Sequence, residues 1–124
     1  MRRSGLTVLS LLAFRLLLAA PGAYAQDAGE GIFKRYCQVC HTVEAGKNKI
    51  GPSLAGIVGR KAGSAPGYSY SDANKNSGVT WDEENLDTYL TDPRKFVPGT
   101  KMLFVGIKNP DDRKALIAYL KEQK

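Results

Sequence analysis

Cys37-Gln38-Val39-Cys40-His41 contains both cysteines and the only histidine of this 124-residue chain. Two thiols three positions apart on a helix lie on one face, where they can add to the two vinyl groups along one haem edge. The histidine that follows can then present its imidazole to the iron from the adjoining side. The pattern Cys-x-x-Cys-His is typical of covalent haem attachment. It predicts one haem c bound through Cys37 and Cys40, with His41 as an axial iron ligand.

Three other uses of the two cysteines fit the sequence less well. A redox-active dithiol belongs in a strand–helix–strand context, and no such alternation is found nearby. A structural zinc site needs four ligands, and the chain offers no second pair of cysteines. A disulfide between cysteines this close would be strained. Haem attachment is therefore the favoured interpretation.

The second axial ligand is predicted by elimination. Met1 and Met102 are the only methionines, and Met1 lies in a segment that is predicted to be removed. Met102 follows the turn-rich stretch Val97-Pro98-Gly99-Thr100-Lys101, which is typical of a loop that delivers one side chain to a metal. Met102 is therefore predicted as the second ligand. The alternative is a core methionine that fills a gap.

The first 25 residues have the organisation of a cleaved secretory signal peptide. A basic start precedes the apolar residues 6–20, and Ala23-Tyr24-Ala25 matches a cleavage signal. Arg15 interrupts the apolar stretch, which argues against a membrane span because a span needs about 20 apolar residues. Cleavage before Gln26 would leave residues 26–124 as a single domain, and we expect this domain in a bacterial periplasm.

The net charge of the chain is modest once the signal segment is excluded. Loss of Arg2, Arg3 and Arg15 takes the 18 basic residues to 15 against 12 acidic residues, so the net charge falls from +6 to +3. These charges are scattered along the chain, and no known nucleic-acid-binding module fits the sequence. Nucleic acid is therefore not an expected partner.

Periodicity and capping patterns predict an all-α domain with three main helices. The first covers residues 27–37, with Asp27 as its cap and Gly29 where another helix can approach closely. The second opens with the capping box Thr80-Trp81-Asp82-Glu83, in which Thr80 is the N-cap, and runs to about residue 91. The third opens with Asn109-Pro110-Asp111-Asp112, runs to about residue 122 and should pack on the first. The predicted apolar faces are Ile32, Phe33 and Tyr36 in the first helix, Leu86, Tyr89 and Leu90 in the second, and Leu116, Tyr119 and Leu120 in the third.

Residues 42–79 show no strong periodicity and contain seven glycines and two prolines. A structureless run of this length inside a compact domain needs a function, and wrapping a cofactor is such a function. Short helices are predicted around residues 72–76 and 93–96. The predicted fold is thus three main helices, short helices and long loops wrapped around one covalently bound haem.

With these elements placed, the chain resembles a class I c-type cytochrome of the mitochondrial cytochrome c and bacterial cytochrome c2 branch. The similarity covers essentially all of residues 26–124. Besides residues 37–41, the motifs that carry it are Gly51-Pro52-Ser53-Leu54, Gly59-Arg60-Lys61-Ala62-Gly63, Ala65-Pro66-Gly67-Tyr68-Ser69-Tyr70, Asn74 with Trp81, and Pro98-Gly99-Thr100-Lys101-Met102. The resemblance implies a one-electron carrier with a His/Met-ligated haem, and not an enzyme.

The resemblance also implies contacts between the chain and the haem. The Pro52 carbonyl would accept a hydrogen bond from the second ring nitrogen of His41 and so fix its tautomer. The other implied contacts are Arg60, Tyr70 and Trp81 beside a buried propionate, Asn74, Tyr89 and Thr100 near the Met102 sulfur, and Phe104 over the haem edge. Plain core packing could also explain the two aromatic residues Trp81 and Tyr89.

Six lysines fall in segments that should rim the exposed haem edge: Lys34, Lys47, Lys49, Lys95, Lys101 and Lys108. Such a rim would steer an acidic patch of a redox partner, whereas the alternative is an ordinary solvated surface. The resemblance suggests a cytochrome bc complex as donor and a terminal oxidase or photosynthetic reaction centre as acceptor, with the chain monomeric and peripheral to the membrane.

Two other functions compete with the electron carrier. One is a haem enzyme or gas sensor with a labile sixth ligand, which would bind carbon monoxide rapidly when reduced. The other is a tethered module that keeps residues 6–20 as an anchor, although only residues 26–29 would then link the cleavage site to the first helix.

Overall fold

The computed structural model describes residues 21–124, in which five helices are joined by long loops. The helices are α1 (Pro21–Tyr36), α2 (Asp72–Lys75), α3 (Glu83–Thr91), α4 (Pro93–Phe96) and α5 (Pro110–Lys121). Within this range, extended backbone pairs at one place, an isolated antiparallel bridge between Lys61 and Thr80. The predicted all-α fold, with three main helices and short helices among long loops, is confirmed.

The described range leaves out most of the predicted signal peptide. Its basic start and the apolar residues 6–20 lie outside the described residues. Within residues 21–124, none of the helices combines the length and the apolar character that crossing a membrane requires.

The frame of the domain is the contact between α1 and α5. A Cβ atom at Gly29 of α1 would overlap the Ala115 carbonyl oxygen and the Tyr119 Cβ of α5, so the two helices touch backbone to backbone. Next to this contact, the Phe33 and Tyr119 rings lie 5.7 Å apart, and Leu116 is fully buried. The predicted packing of the last helix on the first, with Gly29 at the point of close approach, is confirmed.

Helix α1 differs from its predicted form at both ends. The helix already includes Pro21, the first described residue, so Asp27 lies inside it and does not cap it; the helix ends at Tyr36. Ile32 and Phe33 are buried as predicted, but Tyr36 is 39% exposed. Helical spacing places Tyr36 near the margin of the apolar face, where it meets a loop and not a second helix.

Helix α3 begins later than its capping box predicted. Asp82 is the N-cap, and its side chain accepts a hydrogen bond of 2.7 Å from the Asn85 backbone N–H. Thr80 was the predicted N-cap, but its backbone pairs with Lys61 in the isolated bridge. An extended residue already paired to another segment cannot open the helix, so the next capping residue takes its place. The predicted inner face of α3 is buried: Leu86, Tyr89 and Leu90.

Helix α5 starts as predicted. The Asn109 side chain caps it by accepting a 2.9 Å hydrogen bond from the Asp111 N–H, and Pro110 occupies the first turn. The buried face consists of Leu116, Ile117 and Leu120, with Tyr119 partly buried beside them.

The long loop between α1 and α2 is anchored to three other segments. Gly51 N donates to the Cys40 carbonyl at 2.8 Å, Gly56 N to the Gln123 carbonyl at 2.7 Å, and Gly59 N to the Trp81 carbonyl at 2.8 Å. These bonds tie the loop to the residues that follow α1, to those that follow α5 and to the approach to α3.

Candidate functional site

The segment from Cys37 to His41 continues α1 as a series of tight turns. Cys37 N donates to the Phe33 carbonyl at 2.8 Å, and the N–H groups of Cys40 and His41 donate to the Cys37 carbonyl at 3.0 and 2.8 Å. Near-helical spacing therefore persists past Tyr36, and it places the two cysteines on one side of the turn.

No disulfide joins Cys37 and Cys40, and Cys37 is buried. Burial raises the pKa of the Cys37 thiol to about 12, with a smaller contribution from Cys40. A redox-active dithiol needs the opposite shift, since the thiolate is the attacking species. Residues 21–124 also hold no cluster of three His, Cys, Asp or Glu side chains that could bind a metal ion by themselves.

The His41 ring is oriented by the following loop. Its Nδ1 lies 2.7 Å from the Pro52 carbonyl oxygen. A carbonyl only accepts, so Nδ1 carries the proton and Nε2 keeps a lone pair for a metal. Burial lowers the pKa of His41 and favours the neutral form. The structure thus contains the hydrogen bond between His41 and Pro52 that the resemblance implied.

Gly51 packs directly against the His41 ring. A Cβ atom at Gly51 would overlap three atoms of the imidazole. Gly51 is buried, and its N–H is tied to the Cys40 carbonyl. The loop therefore passes so close to the ring that only a residue without a side chain fits.

Met102 lies in the loop after α4, half-buried against the core. The Tyr89 hydroxyl lies 3.6 Å from its Sδ atom, and Thr100 Oγ1 accepts a 3.3 Å hydrogen bond from the Met102 N–H. Burial raises the pKa of Tyr89, which keeps its hydroxyl protonated as a donor. The structure brings Tyr89 and Thr100 to this methionine.

Two buried polar atoms among the described residues have no hydrogen-bond partner: Arg60 Nε and Asn74 Oδ1. The terminal nitrogens of Arg60 donate to the carbonyls of Ser53 at 2.9 Å and Ala55 at 3.1 Å, which leaves Nε unsatisfied. An unsatisfied buried polar group costs about 1–3 kcal/mol. Each atom therefore needs a polar partner that the described residues do not provide. For Arg60, a carboxylate is the natural partner.

Tyr70 and Trp81 lie near Arg60. Burial lowers the pKa of Arg60, and the neighbouring Tyr70 opposes this shift. The Tyr70 hydroxyl accepts a 2.9 Å hydrogen bond from Ala65 N, and Trp81 N donates to the Arg60 carbonyl at 2.9 Å. The Trp81 ring lies 4.6 Å from the Tyr89 ring, which in turn contacts Met102. A series of contacts thus links the surroundings of His41 to those of Met102.

Phe104 is half-buried, and its ring lies 6.1 Å from that of Tyr36. Its neighbours Leu103 and Val105 are 87% and 77% exposed. The Met102 loop therefore turns Phe104 inward and presents its two flanking apolar side chains to solvent.

Sequence reasoning missed part of the support for His41. Asn48 was assigned no role, yet its side chain bonds to both Ser53 and Pro66. Gly51 and Ser53 were named only as members of the motif Gly51-Pro52-Ser53-Leu54. No spacing or composition pattern marks Asn48, because its partners are backbone groups of distant segments.

These donors fit one covalently bound haem. They comprise two thiols on one turn, an imidazole with a free Nε2, a thioether, and an arginine whose buried Nε–H is unsatisfied. The class of protein so defined is a small helical domain whose loops enclose a covalently attached haem.

The chain belongs to the cytochrome c family, whose model, described as Cytochrome c, matches residues 26–124. It is 59% identical over 88 residues to cytochrome c2 iso-2 of Magnetospirillum molischianum, covering 71% of this chain and 91% of that protein. It is 56% identical over 105 residues to cytochrome c of Cannabis sativa, covering 84% and 93%. The solved structure of cytochrome cH from Methylobacterium extorquens matches with a TM-score of 0.72 and 52% identity, covering 77% of this chain and 96% of that one.

Membership of this family confirms three predictions. Cytochromes c carry one covalently attached haem c, they transfer electrons with redox partners, and they are not enzymes.

Proposed function

We propose that this chain is a periplasmic one-electron carrier whose haem iron is ligated by His41 and Met102. When bound, the haem supplies an iron that alternates between Fe(III) and Fe(II). Two protein ligands leave no open position for a reactant, and thioether ligation raises the reduction potential. The observation that carries the proposal is that both candidate ligands are held by their own neighbours, His41 by the Pro52 carbonyl and Met102 by Tyr89 and Thr100.

The surrounding residues have separate tasks in this proposal. Arg60, with Tyr70 and Trp81 beside it, has an unsatisfied Nε and would hold a haem carboxylate through it. Asn74, whose Oδ1 is buried and unsatisfied, would add the polar group near the Met102 sulfur that the resemblance implies. Phe104 would cover the haem edge. A packed surrounding of this kind keeps ligand positions nearly the same in both oxidation states and excludes water from the iron.

The proposed docking face combines exposed apolar side chains with lysines. The apolar members are Val39, Ile50, Leu103 and Val105, which are 72%, 73%, 87% and 77% exposed. Val39 lies between the two cysteines, and Leu103 and Val105 flank Phe104. An apolar centre surrounded by charged side chains is typical of interfaces whose partners bind and dissociate quickly.

The six rim lysines fall into two groups. Lys34 pairs with Glu30 at 2.6 Å, and Lys47 pairs with Glu44 at 3.2 Å, so each pair adds little net charge to the face. No carboxylate of the described residues pairs with the other four, Lys49, Lys95, Lys101 and Lys108. Their charge is therefore available to steer an acidic partner.

Three of the four uncompensated lysines are held by backbone carbonyls. Lys49 Nζ donates to the Gln38 carbonyl at 2.6 Å, Lys108 Nζ to the Thr91 carbonyl at 2.7 Å, and Lys101 Nζ to the Ser69 carbonyl. A carbonyl leaves the net charge intact but limits the motion of the side chain. The cationic rim is thus partly ordered before a partner arrives.

The proposed partners are a cytochrome bc complex as donor and a terminal oxidase or photosynthetic reaction centre as acceptor, met by a monomer at the membrane surface. Export through cleavage before Gln26 is supported by the family match, which begins at residue 26. Residues 22–25 are all exposed, so their loss would remove nothing from the core. Mass spectrometry of the purified protein tests this part, because an N-terminus before Gln26 would contradict it.

Replacement of the proposed thioether ligand tests the ligation. Met102→Ala should abolish the weak far-red sulfur-to-iron band of the ferric protein and allow the reduced protein to bind carbon monoxide rapidly. Leu103→Ala is the matched control, since Leu103 is adjacent and 87% exposed; it should keep the band. A band that survives in Met102→Ala would refute the assignment. Rapid carbon monoxide binding by the unaltered reduced protein would favour a gas sensor instead.

A further inference from the structure

The peptide unit between Pro52 and Ser53 is hydrogen-bonded on both sides. Its carbonyl oxygen accepts from His41 Nδ1 at 2.7 Å. Its N–H, which is the backbone N–H of Ser53, donates to Asn48 Oδ1 at 3.0 Å. One planar amide therefore connects the Asn48 side chain to the His41 ring.

The orientation of the Asn48 amide is fixed by its second bond. Asn48 Nδ2 donates to the Pro66 carbonyl at 2.9 Å. A flipped amide would place Oδ1 against the Pro66 carbonyl and Nδ2 against the Ser53 N–H, so both bonds would be lost. Only one orientation satisfies both neighbours, and it directs the oxygen at Ser53.

The surroundings limit competition from solvent. Ser53 is 4% exposed, and its hydroxyl donates to the Glu44 carbonyl at 2.5 Å. Its own carbonyl accepts from Arg60 Nη2 at 2.9 Å. Water is therefore largely excluded from the Pro52–Ser53 peptide, and the hydrogen bonds of its own N–H and C=O groups polarise each other.

We propose that Asn48 is a positioning residue for His41 that acts through the Pro52–Ser53 peptide. This inference rests on the proposed function, since it takes His41 as the iron ligand. An amide whose N–H is bonded to a good acceptor has a more electron-rich carbonyl. Asn48 thereby strengthens the bond from His41 Nδ1–H to Pro52, which fixes the ring and makes the imidazole a better electron donor. A more electron-rich ligand favours ferric iron, so Asn48 lowers the reduction potential.

Two substitutions of Asn48 distinguish this role from that of a residue that only holds the loop in place. Asn48→Asp keeps an acceptor for Ser53 N–H, loses the donor to Pro66 and adds a negative charge. Asn48→Ala loses both bonds. Ser53→Ala is the matched control, because it removes the hydroxyl bond to Glu44 from the same loop but leaves the Ser53 N–H in place.

The readouts are the reduction potential, from a mediated redox titration, and the His41 Nδ1–H and Ser53 N–H proton resonances of the reduced protein. In Asn48→Ala the potential should rise and the His41 Nδ1–H resonance should move upfield. In Asn48→Asp the potential should fall and that resonance should move downfield. Ser53→Ala should lower the melting temperature yet leave the His41 resonance and the potential unchanged.

Several outcomes would overturn the inference. An unmoved His41 resonance in both Asn48 variants, or the same shift in Ser53→Ala, would make Asn48 a structural residue only. If Asn48→Ala does not fold, the sign of the shift in Asn48→Asp decides. Failure of the proposed function is separate, because the unaltered protein would then lack the low-spin spectrum of a His/Met haem.

Discussion

The helices and the loops of this domain are held together by different forces. Where α1 meets α5, backbones touch at Gly29, and the surrounding side chains are apolar and buried. The loop of residues 42–71 is held instead by polar side chains that bond to backbone carbonyls. Examples are Asn48 to Pro66 at 2.9 Å, Tyr68 to Ile50 at 2.8 Å and Arg60 to Ser53 at 2.9 Å.

This difference follows from what each backbone can satisfy by itself. A helix bonds its own N–H and C=O groups, so its side chains need only bury apolar surface. A loop leaves carbonyls that must find partners elsewhere. The candidate haem site lies where the two regions meet, with His41 after the tight turns that follow α1 and Met102 in a loop.

The largest loss of stability should come from adding a side chain where α1 contacts α5. Gly29→Ala places a Cβ atom against the Ala115 carbonyl, which cannot move without shifting α5, so we expect a loss of about 3 kcal/mol in unfolding free energy. Gly31→Ala is the control in the same helix, with no atom within 4 Å of the new Cβ; it should stabilise the protein by about 1 kcal/mol. Chemical denaturation measures the unfolding free energy of both variants, and equal free energies would contradict a close contact between α1 and α5.

The same substitution on the loop side should act on the site as well as on stability. Gly51→Ala drives a Cβ atom into the His41 ring, and because a ring can shift where a backbone cannot, we expect a loss of about 2 kcal/mol. The His41 Nδ1–H resonance should move in Gly51→Ala and stay in place in Gly29→Ala. A His41 resonance that moves equally in both would remove the distinction between the two regions.

On the Met102 loop the expected effect is smaller. Thr100→Val removes the acceptor of the Met102 N–H, a loss of about 1 kcal/mol. External imidazole should then displace Met102 roughly fivefold more readily, as followed by loss of the far-red band. Ser53→Ala serves as the control on the His41 side, and it should not alter the affinity for imidazole.

The smallest effect concerns the surface of both regions. Lys49→Gln removes one uncompensated charge, worth about 0.5 kcal/mol at a separation of about 8 Å in water, so reduction by a cytochrome bc complex at low salt should slow roughly twofold. The double change Glu30→Gln with Lys34→Gln removes a neutral pair. It should leave the rate constant of this reduction unchanged in stopped-flow measurements. Equal slowing in Lys49→Gln and in the double variant would refute the division of the rim lysines into paired and uncompensated groups.

The sequence predicted the helices better than their contacts. Asn109 and Pro110 mark the start of α5 correctly, because both act within the first turn. Thr80 was predicted as the N-cap of α3 because Glu83 completes a capping box with it. The bridge to Lys61 holds Thr80 outside the helix, and Asp82 is the N-cap instead. Tyr36 fits a helical apolar stripe, yet its exposure depends on which segment lies beside it.

The candidate site likewise has parts that the sequence predicted and parts that it did not. The motif Cys37-Gln38-Val39-Cys40-His41 identifies the haem attachment from local spacing alone, and the lack of another methionine in residues 26–124 singles out Met102 as the proposed second ligand. The unsatisfied Arg60 Nε and the two bonds of Asn48 could not be predicted, since they depend on carbonyls brought from distant segments.

By itself, then, the sequence determined the elements whose information is local: three main helices, the two haem-binding thiols and the histidine beside them. Tertiary structure alone decided which loop carbonyl meets which side chain, that Gly51 touches the His41 ring, and that Asn48 reaches His41 through one peptide unit. The physical reason is that helices form from neighbours in sequence. Loop hydrogen bonds form between residues that only folding brings together.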